Sequence, residues 1–274
     1  MKLFKNLFDL YINGSIHTGL AVVCFTLVTY LELNLPVNIN LLLFIFFGTI
    51  TSYNFVKYAS VAKLHHSSLT ENLKIIQVFS FLCFIALAWF TLKQDYKTLF
   101  ASSVLGILTL LYATPVLKGQ HNLRNIAGIK VFVIAVTATG TGVLLPLLHH
   151  FEISLSDKIL IIIQRILIHV VLMLPFEIRD VRFDHPSLKT IPQTLGVWNT
   201  KIFGSVLMLF AVLLELLKTD FNLVNFLSIS LFSVLTIGMV VASKKIQRNY
   251  YASFWVEAAP IFWVFILILL NEIF

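Results

Sequence analysis

The sequence predicts an all-α, polytopic membrane protein with nine transmembrane helices around a central cavity. Three observations carry that expectation. Of 274 residues 58% are hydrophobic and only 12% are charged, and the mean hydropathy of +0.91 lies above what soluble globular domains reach. Apolar runs of about 20 residues, each able to cross about 30 Å of hydrocarbon, recur along the whole chain. Lys and Arg gather in alternate connections between those runs, as the positive-inside rule expects of a multi-pass protein.

In order, the spans are read at 14–33, 39–58, 73–92, 98–117, 125–148, 157–176, 199–217, 222–242 and 254–273, all within a single domain, 1–274. The first opens on polar residues, Asn13 to Thr18, and the fifth is rich in Gly and Thr. The stretch MKLFKNLFDLYINGSIHTG runs straight into the first span, with no short apolar core ending at a small-residue cleavage site, so no segment is expected to be removed. The sixth span holds Gln164, Arg165 and His169, with Arg165 expected to snorkel outward or to pair with Glu215 of the seventh. Glu257, near the start of the ninth, reads as a buried acid with a structural partner. Cys24 and Cys83 sit inside apolar runs and read as small packing residues. His65 and His66 have no neighbouring Cys or third His to complete a zinc set, so no role is assigned to them.

Of the twenty Lys and Arg residues, Lys93, Lys97, Lys158 and Lys218 fall on one side and Arg165 lies within the sixth span. All the others fall on the opposite side. That side is expected to be cytoplasmic, which places the protein in the inner membrane with its N-terminus inside and its C-terminus outside. Attraction to anionic lipid headgroups accounts for part of the net charge of +7. The same connections also hold the carboxylates, which points to a pocket for a multivalent anion and its metal. Short cationic clusters without a soluble basic domain argue against nucleic acid. The absence of a Gly-rich phosphate loop, a nucleophile elbow or a Cys-His pairing argues against an NTPase, a hydrolase or a thiol enzyme.

Charge concentrates in PFEIRDVRFDHPSLKT, residues 175–190. If the sixth helix continues past Pro175, Glu177, Asp180 and Asp184 share an arc of about 60°, while Arg179 and Arg182 point elsewhere and are not expected to neutralise them. Three such carboxylates repel one another at the negative end of a helix dipole and call for a cation. Mg²⁺ suits the place, because it prefers oxygen ligands and is usually shared with substrate phosphates.

Asp180 and Asp184, followed by Lys189, Thr190 and Gly196, make a DxxxD motif and a Lys-Thr-x5-Gly run after the sixth of nine spans. With LYATPVLKG, which holds Tyr112 and Lys118, this pattern resembles the UbiA superfamily of intramembrane prenyltransferases. The resemblance implies a prenyl diphosphate bound through Mg²⁺ and passed to a lipophilic acceptor of aromatic or quinone type. It implies Asp180 and Asp184, assisted by Glu177, as metal ligands, and Tyr112, Lys118, Arg124, Arg179 and Lys189 as substrate contacts. The first acidic motif of that family, NDxxDxxxD, has its best match at NFVKYASVA. There Asn54 is kept, but Phe55, Tyr58 and Ala62 occupy the acidic positions.

Asn54, Lys57 and Tyr58 share a helix face, so Lys57 is expected to replace a metal by holding diphosphate oxygens directly, with Asn54 and Tyr58 beside it. In the rival reading Lys57 pairs with Asp180 or Asp184 across an inactive, metal-free pocket. The catalytic set expected is Asp180, Asp184 and Lys57, and some of the twenty-five Phe and four Trp residues would face an allylic cation. The expected function is prenyl transfer. The alternatives are a membrane terpene cyclase, or a catalytically silent lipid-binding protein of the same fold.

Overall fold

Ten α-helices follow one another, with no strand among the described residues: α1 (Lys2–Asn13), α2 (Ile16–Glu32), α3 (Ile39–Ala62), α4 (Glu71–Thr91), α5 (Tyr96–Ala113), α6 (Lys130–Leu147), α7 (Leu155–Asp180), α8 (Ile191–Glu215), α9 (Leu223–Ala242) and α10 (Tyr251–Ile273). The computed structural model describes the backbone of residues 2–62, 71–115 and 122–274, with side chains over 7–58, 74–115 and 122–274. Helices α3 to α10 are each long and apolar enough to cross a membrane. The pair α1 and α2, bent by 56° at Gly14–Ser15, makes a ninth span if counted as one.

Several boundaries differ from the sequence expectation. The first span is preceded by α1, a short helix that bends away at an elbow where Ser15 takes a left-handed backbone, φ 61°. The fifth starts later than 125: a 3₁₀ turn at Leu123–Asn125 precedes α6, which is interrupted by a π segment, Gly140–Leu144. The sixth runs through Pro175 to Asp180, and the Pro175 carbonyl accepts a hydrogen bond from Gln247 Nε2 at 2.7 Å. The seventh begins at Ile191, behind Thr190, whose N–H donates to Gln193 Oε1 at 3.0 Å, and breaks at Gly196. There φ is 77° and ψ 160°, a conformation open to glycine and costly for other residues.

Neighbouring helices close into a ring. α7 packs between α6 and α8, α9 between α8 and α10, and α10 returns onto α2, which also packs on α3. The core lies where α2, α6, α7, α8, α9 and α10 meet and includes Phe25, Val143, Ile168, Met208, Phe232 and Trp263, each essentially inaccessible. The Trp263 ring stacks on Phe232 with centroids 4.1 Å apart, and its N–H donates to Ser228 Oγ at 2.9 Å. On the outside, α4 and α5 expose Phe81, Leu82, Ile85, Phe100 and Val104. In a bilayer such exposure needs no compensation, because lipid tails are as apolar as these side chains.

Arg165 neither snorkels nor pairs with Glu215. It is fully buried, ion-paired with Glu32 of α2, and its guanidinium lies over the Trp263 ring at 4.2 Å and the Phe25 ring at 5.5 Å. Glu215 instead accepts from Gln164 Nε2 at 2.9 Å and pairs with Lys218 at 2.7 Å. The helical spacing places Arg165 inside the bundle, but the partner is chosen by which end of α2 lies alongside.

At the end of the bundle away from the basic connections, Asp95 caps α5. Its carboxylate accepts from the N–H of Lys97 at 2.8 Å and of Thr98 at 3.1 Å and faces His149 Nε2 at 2.9 Å. Partial burial pushes this carboxyl up, but hydrogen bonds from the Thr98 hydroxyl and from the two backbone N–H groups outweigh it and hold the pKa at about 2. A depressed carboxyl stabilises the fold above its unfolded value, near 4, and the contribution disappears as pH falls toward the folded one. Asp95→Ala is expected to cost about 1 kcal/mol near neutral pH. It should also abolish this part of the wild-type stability loss between about pH 4 and 2, read from thermal melts of detergent-solubilised protein.

Candidate functional site

At the basic end of the ring, α2, α3, α5, α6, α7 and the start of α10 surround a cavity of about 500 Å³. That size falls within the range of small-molecule sites. Its walls are apolar at Val22, Val56, Val133, Ile134 and Met173, and hydroxyl-bearing at Thr49, Ser52, Thr137 and Thr141. Charge collects at Lys57, Arg124, Lys130, Arg179, Glu177, Asp180 and Glu257.

The acidic wall is built by the end of α7, with the loop that follows behind it. The N–H of Asp184 bonds the Asp180 carbonyl at 2.8 Å, so the chain turns at once. Gln193 Nε2 braces the turn by donating to the carbonyls of Asp184 at 3.1 Å and His185 at 3.3 Å. The loop is also pinned to the start of α6, where the Gly128 N–H donates to the Leu188 carbonyl at 2.9 Å; Gly128 has φ 73°, a backbone in which a side chain would be strained. This pin brings Lys130 to the carboxylates. Its ammonium lies 2.9 Å from Glu177 Oε1 and 3.1 Å from Asp184 Oδ2. Asp180 is held by its neighbour Arg179, with Nε to Oδ1 at 2.7 Å and Nη2 to Oδ2 at 3.2 Å. Arg179 therefore does neutralise an acid of the cluster, contrary to the helical-wheel expectation, because its long side chain folds back along the helix end.

The basic wall belongs to α3. Lys57 Nζ donates to Ser15 Oγ at 3.0 Å and lies over the Tyr53 ring at 5.4 Å. Asn54 and Tyr58, expected beside it as ligands, hold the α1–α2 elbow instead and do not line the cavity. The buried Asn54 amide accepts from Ser15 Oγ at 2.7 Å and donates to the Gly14 carbonyl at 3.0 Å and to Ser80 Oγ at 2.8 Å. The Tyr58 hydroxyl donates to the Asn13 carbonyl at 3.0 Å.

Of the other expected contacts, Tyr112, Arg124 and Arg179 line the cavity. Lys189 does not: it ends the 3₁₀ turn at Pro186–Leu188 with a left-handed backbone, φ 43°. Lys118, like His65 and His66, lies outside the described residues. Asp184 stands behind Lys130 and not in the cavity wall. Sequence reasoning gave Lys130 and Glu257 no leading role, yet both line the cavity.

The Mg²⁺ centre implied by the resemblance can be tested on these donors. Among the described residues no three His, Cys, Asp or Glu side chains converge on one point. Glu177 and Asp184 do converge, but on the ammonium of Lys130, and Asp180 is matched by Arg179. The cation positions are thus filled by the chain itself, and the arrangement does not fit the expected three-carboxylate metal set.

The fold and cavity describe an all-helical, multi-pass membrane protein whose helices ring a largely apolar chamber that also holds a set of charged side chains. Its backbone is similar to the solved structure of digeranylgeranylglyceryl phosphate synthase, a UbiA-superfamily membrane prenyltransferase, with a TM-score of 0.56 at 15% identity over 100% of this chain and 98% of that one. The fold is UbiA-like. No family model and no curated protein matches the sequence.

Proposed function

We propose that the protein is a membrane prenyltransferase that moves a prenyl group from a prenyl diphosphate to a lipophilic acceptor of aromatic or quinone type. The observation that carries this reading is the lining of the cavity: four cations, Lys57, Arg124, Lys130 and Arg179, outnumber three carboxylates, Glu177, Asp180 and Glu257, beside apolar and aromatic side chains. Lys57 and Arg124 line it without an ion pair among the described residues, and the Lys130 ammonium and Arg179 guanidinium line it as well, each held by carboxylates. A diphosphate lying between the two walls meets both sets.

The chain's own cations then do the main electrostatic work. When the prenyl C1–O bond breaks, its electron pair leaves with the diphosphate, and fixed positive groups stabilise the charge as it develops. Tyr53, Tyr112 and Phe176 line the cavity and offer π faces to the allylic cation. No step is assigned to a metal. In this reading the basic end faces the cytoplasm, with the donor's tail among the α2, α3 and α6 side chains.

The test is incubation of the purified protein in nanodiscs with geranyl, farnesyl and geranylgeranyl diphosphates and 1,4-dihydroxynaphthalene, measuring pyrophosphate and prenylated product. Release is expected in EDTA at close to the rate with Mg²⁺. A strict need for Mg²⁺ would return the metal to Glu177, Asp180 and Asp184. A cyclic product formed without acceptor would indicate the cyclase alternative, and no release under any condition would leave a lipid-binding protein.

A further inference from the structure

Transfer of a prenyl group to a nucleophile liberates a proton as well as diphosphate, so the chamber needs a group that takes it. Four carboxylates stand in or at the cavity. Glu177 and Asp184 share the ammonium of Lys130, and Asp180 is bidentate with Arg179. Glu257 makes no ion pair among the described residues, although it lines the cavity.

Its position is built locally. The chain enters α10 through Tyr250 in a left-handed conformation, φ 65°, and winds Tyr251–Val256 as a π segment. The Glu257 N–H accordingly bonds the Ala252 carbonyl, five residues back, at 3.1 Å. Such insertions widen one turn and re-aim the side chains after it, and they concentrate at functional sites. The Tyr250 hydroxyl donates to Asp9 of α1 at 2.7 Å and fixes the entry. An ionisable side chain on a membrane-spanning helix that faces an interior chamber is itself a marker of function.

We propose that Glu257 is the catalytic base of the transfer step and that the acceptor carries an ionisable hydroxyl. This rests on the prenyl-transfer reading above. Glu257 takes the hydroxyl proton, and the electron pair released moves to the attacking atom, which is the oxygen or the ring carbon conjugated with it. That atom bonds to the allylic cation at C1 once the C1–O pair has departed with diphosphate; where it is the ring carbon, the hydrogen there then leaves as a proton and the oxygen regains one, so a single proton is released overall. Among the described carboxylates at the cavity, Glu257 is the one not already matched by a cation, so it can accept a proton without breaking an ion pair.

The test compares wild type, Glu257→Gln and Glu257→Asp in nanodiscs with farnesyl diphosphate and 1,4-dihydroxynaphthalene across pH 5 to 9. Glu257→Gln is expected to slow product formation at least about 100-fold, while farnesyl diphosphate affinity changes less than about twofold. Loss of the acidic limb of the kcat profile and partial rescue by aspartate are expected as well, which a merely structural role would not produce. Gln-variant turnover within about threefold of wild type, with an unchanged pH profile, overturns the assignment and leaves the prenyltransferase reading standing. Wild-type protein that releases no pyrophosphate overturns both.

Discussion

Arg165→Ala is expected to lower the stability of the folded protein by about 3–5 kcal/mol, the largest loss for any single substitution considered. The guanidinium is fully buried and has three supports: the Glu32 carboxylate, the Trp263 face at 4.2 Å and the Phe25 face at 5.5 Å. Its Nε and Nη1 have no hydrogen-bond partner among the described residues, and neither does Glu32 Oε1, so the charges rest on one another rather than on a wider polar network. Removing the arginine leaves the Glu32 carboxylate buried and uncompensated, a worse state than burying neither charge. The double variant Arg165→Met with Glu32→Met should therefore regain most of the loss. Thermal unfolding of the three proteins in one detergent decides it. A single variant as stable as wild type would mean that water or lipid headgroups reach the pair, and that α2 and α7 are not sealed as the structure has them.

The same pair shows what a sequence can and cannot reveal. Composition and run length make the membrane helices readable one by one, because each span is a local property of about 20 residues. The choice of Glu32 over Glu215 is not local: Arg165 and Glu32 are 133 positions apart, and they meet because α2 and α7 both pack on the π segment of α6. Lys130 is a further instance. It stands 54 positions before Asp184, and reaches it through a backbone bond between Gly128 and Leu188 that no periodicity announces. The acidic loop was legible as a cluster in need of a cation, and the cation is there, but as a side chain. Glu257 was legible as an intramembrane acid, whereas its aim into the cavity depends on a π turn that leaves no pattern in Tyr251–Val256.

Lys57 and Asn54 separate the two levels of reading most sharply, since helical spacing puts them on one face and the structure gives them different work. Lys57→Ala is expected to weaken inorganic pyrophosphate and farnesyl diphosphate binding about ten- to hundredfold, the worth of one hydrogen bond to a charged group, about 1.5–3 kcal/mol. It should barely alter stability, because the ammonium gives up one bond to Ser15 Oγ at the cavity edge. Asn54→Ala should do the reverse. It strips buried partners from the Gly14 carbonyl, Ser15 Oγ and Ser80 Oγ, at a cost on the order of 3 kcal/mol. Anion affinity should stay within about threefold, because a bound phosphate draws Lys57 away from the serine that Asn54 holds. Calorimetric titration with pyrophosphate and a thermal melt on each variant give the four numbers. If Asn54→Ala lost affinity as Lys57→Ala does while melting like wild type, the amide would be a ligand after all, and the α1–α2 elbow would have to open over it when the anion binds.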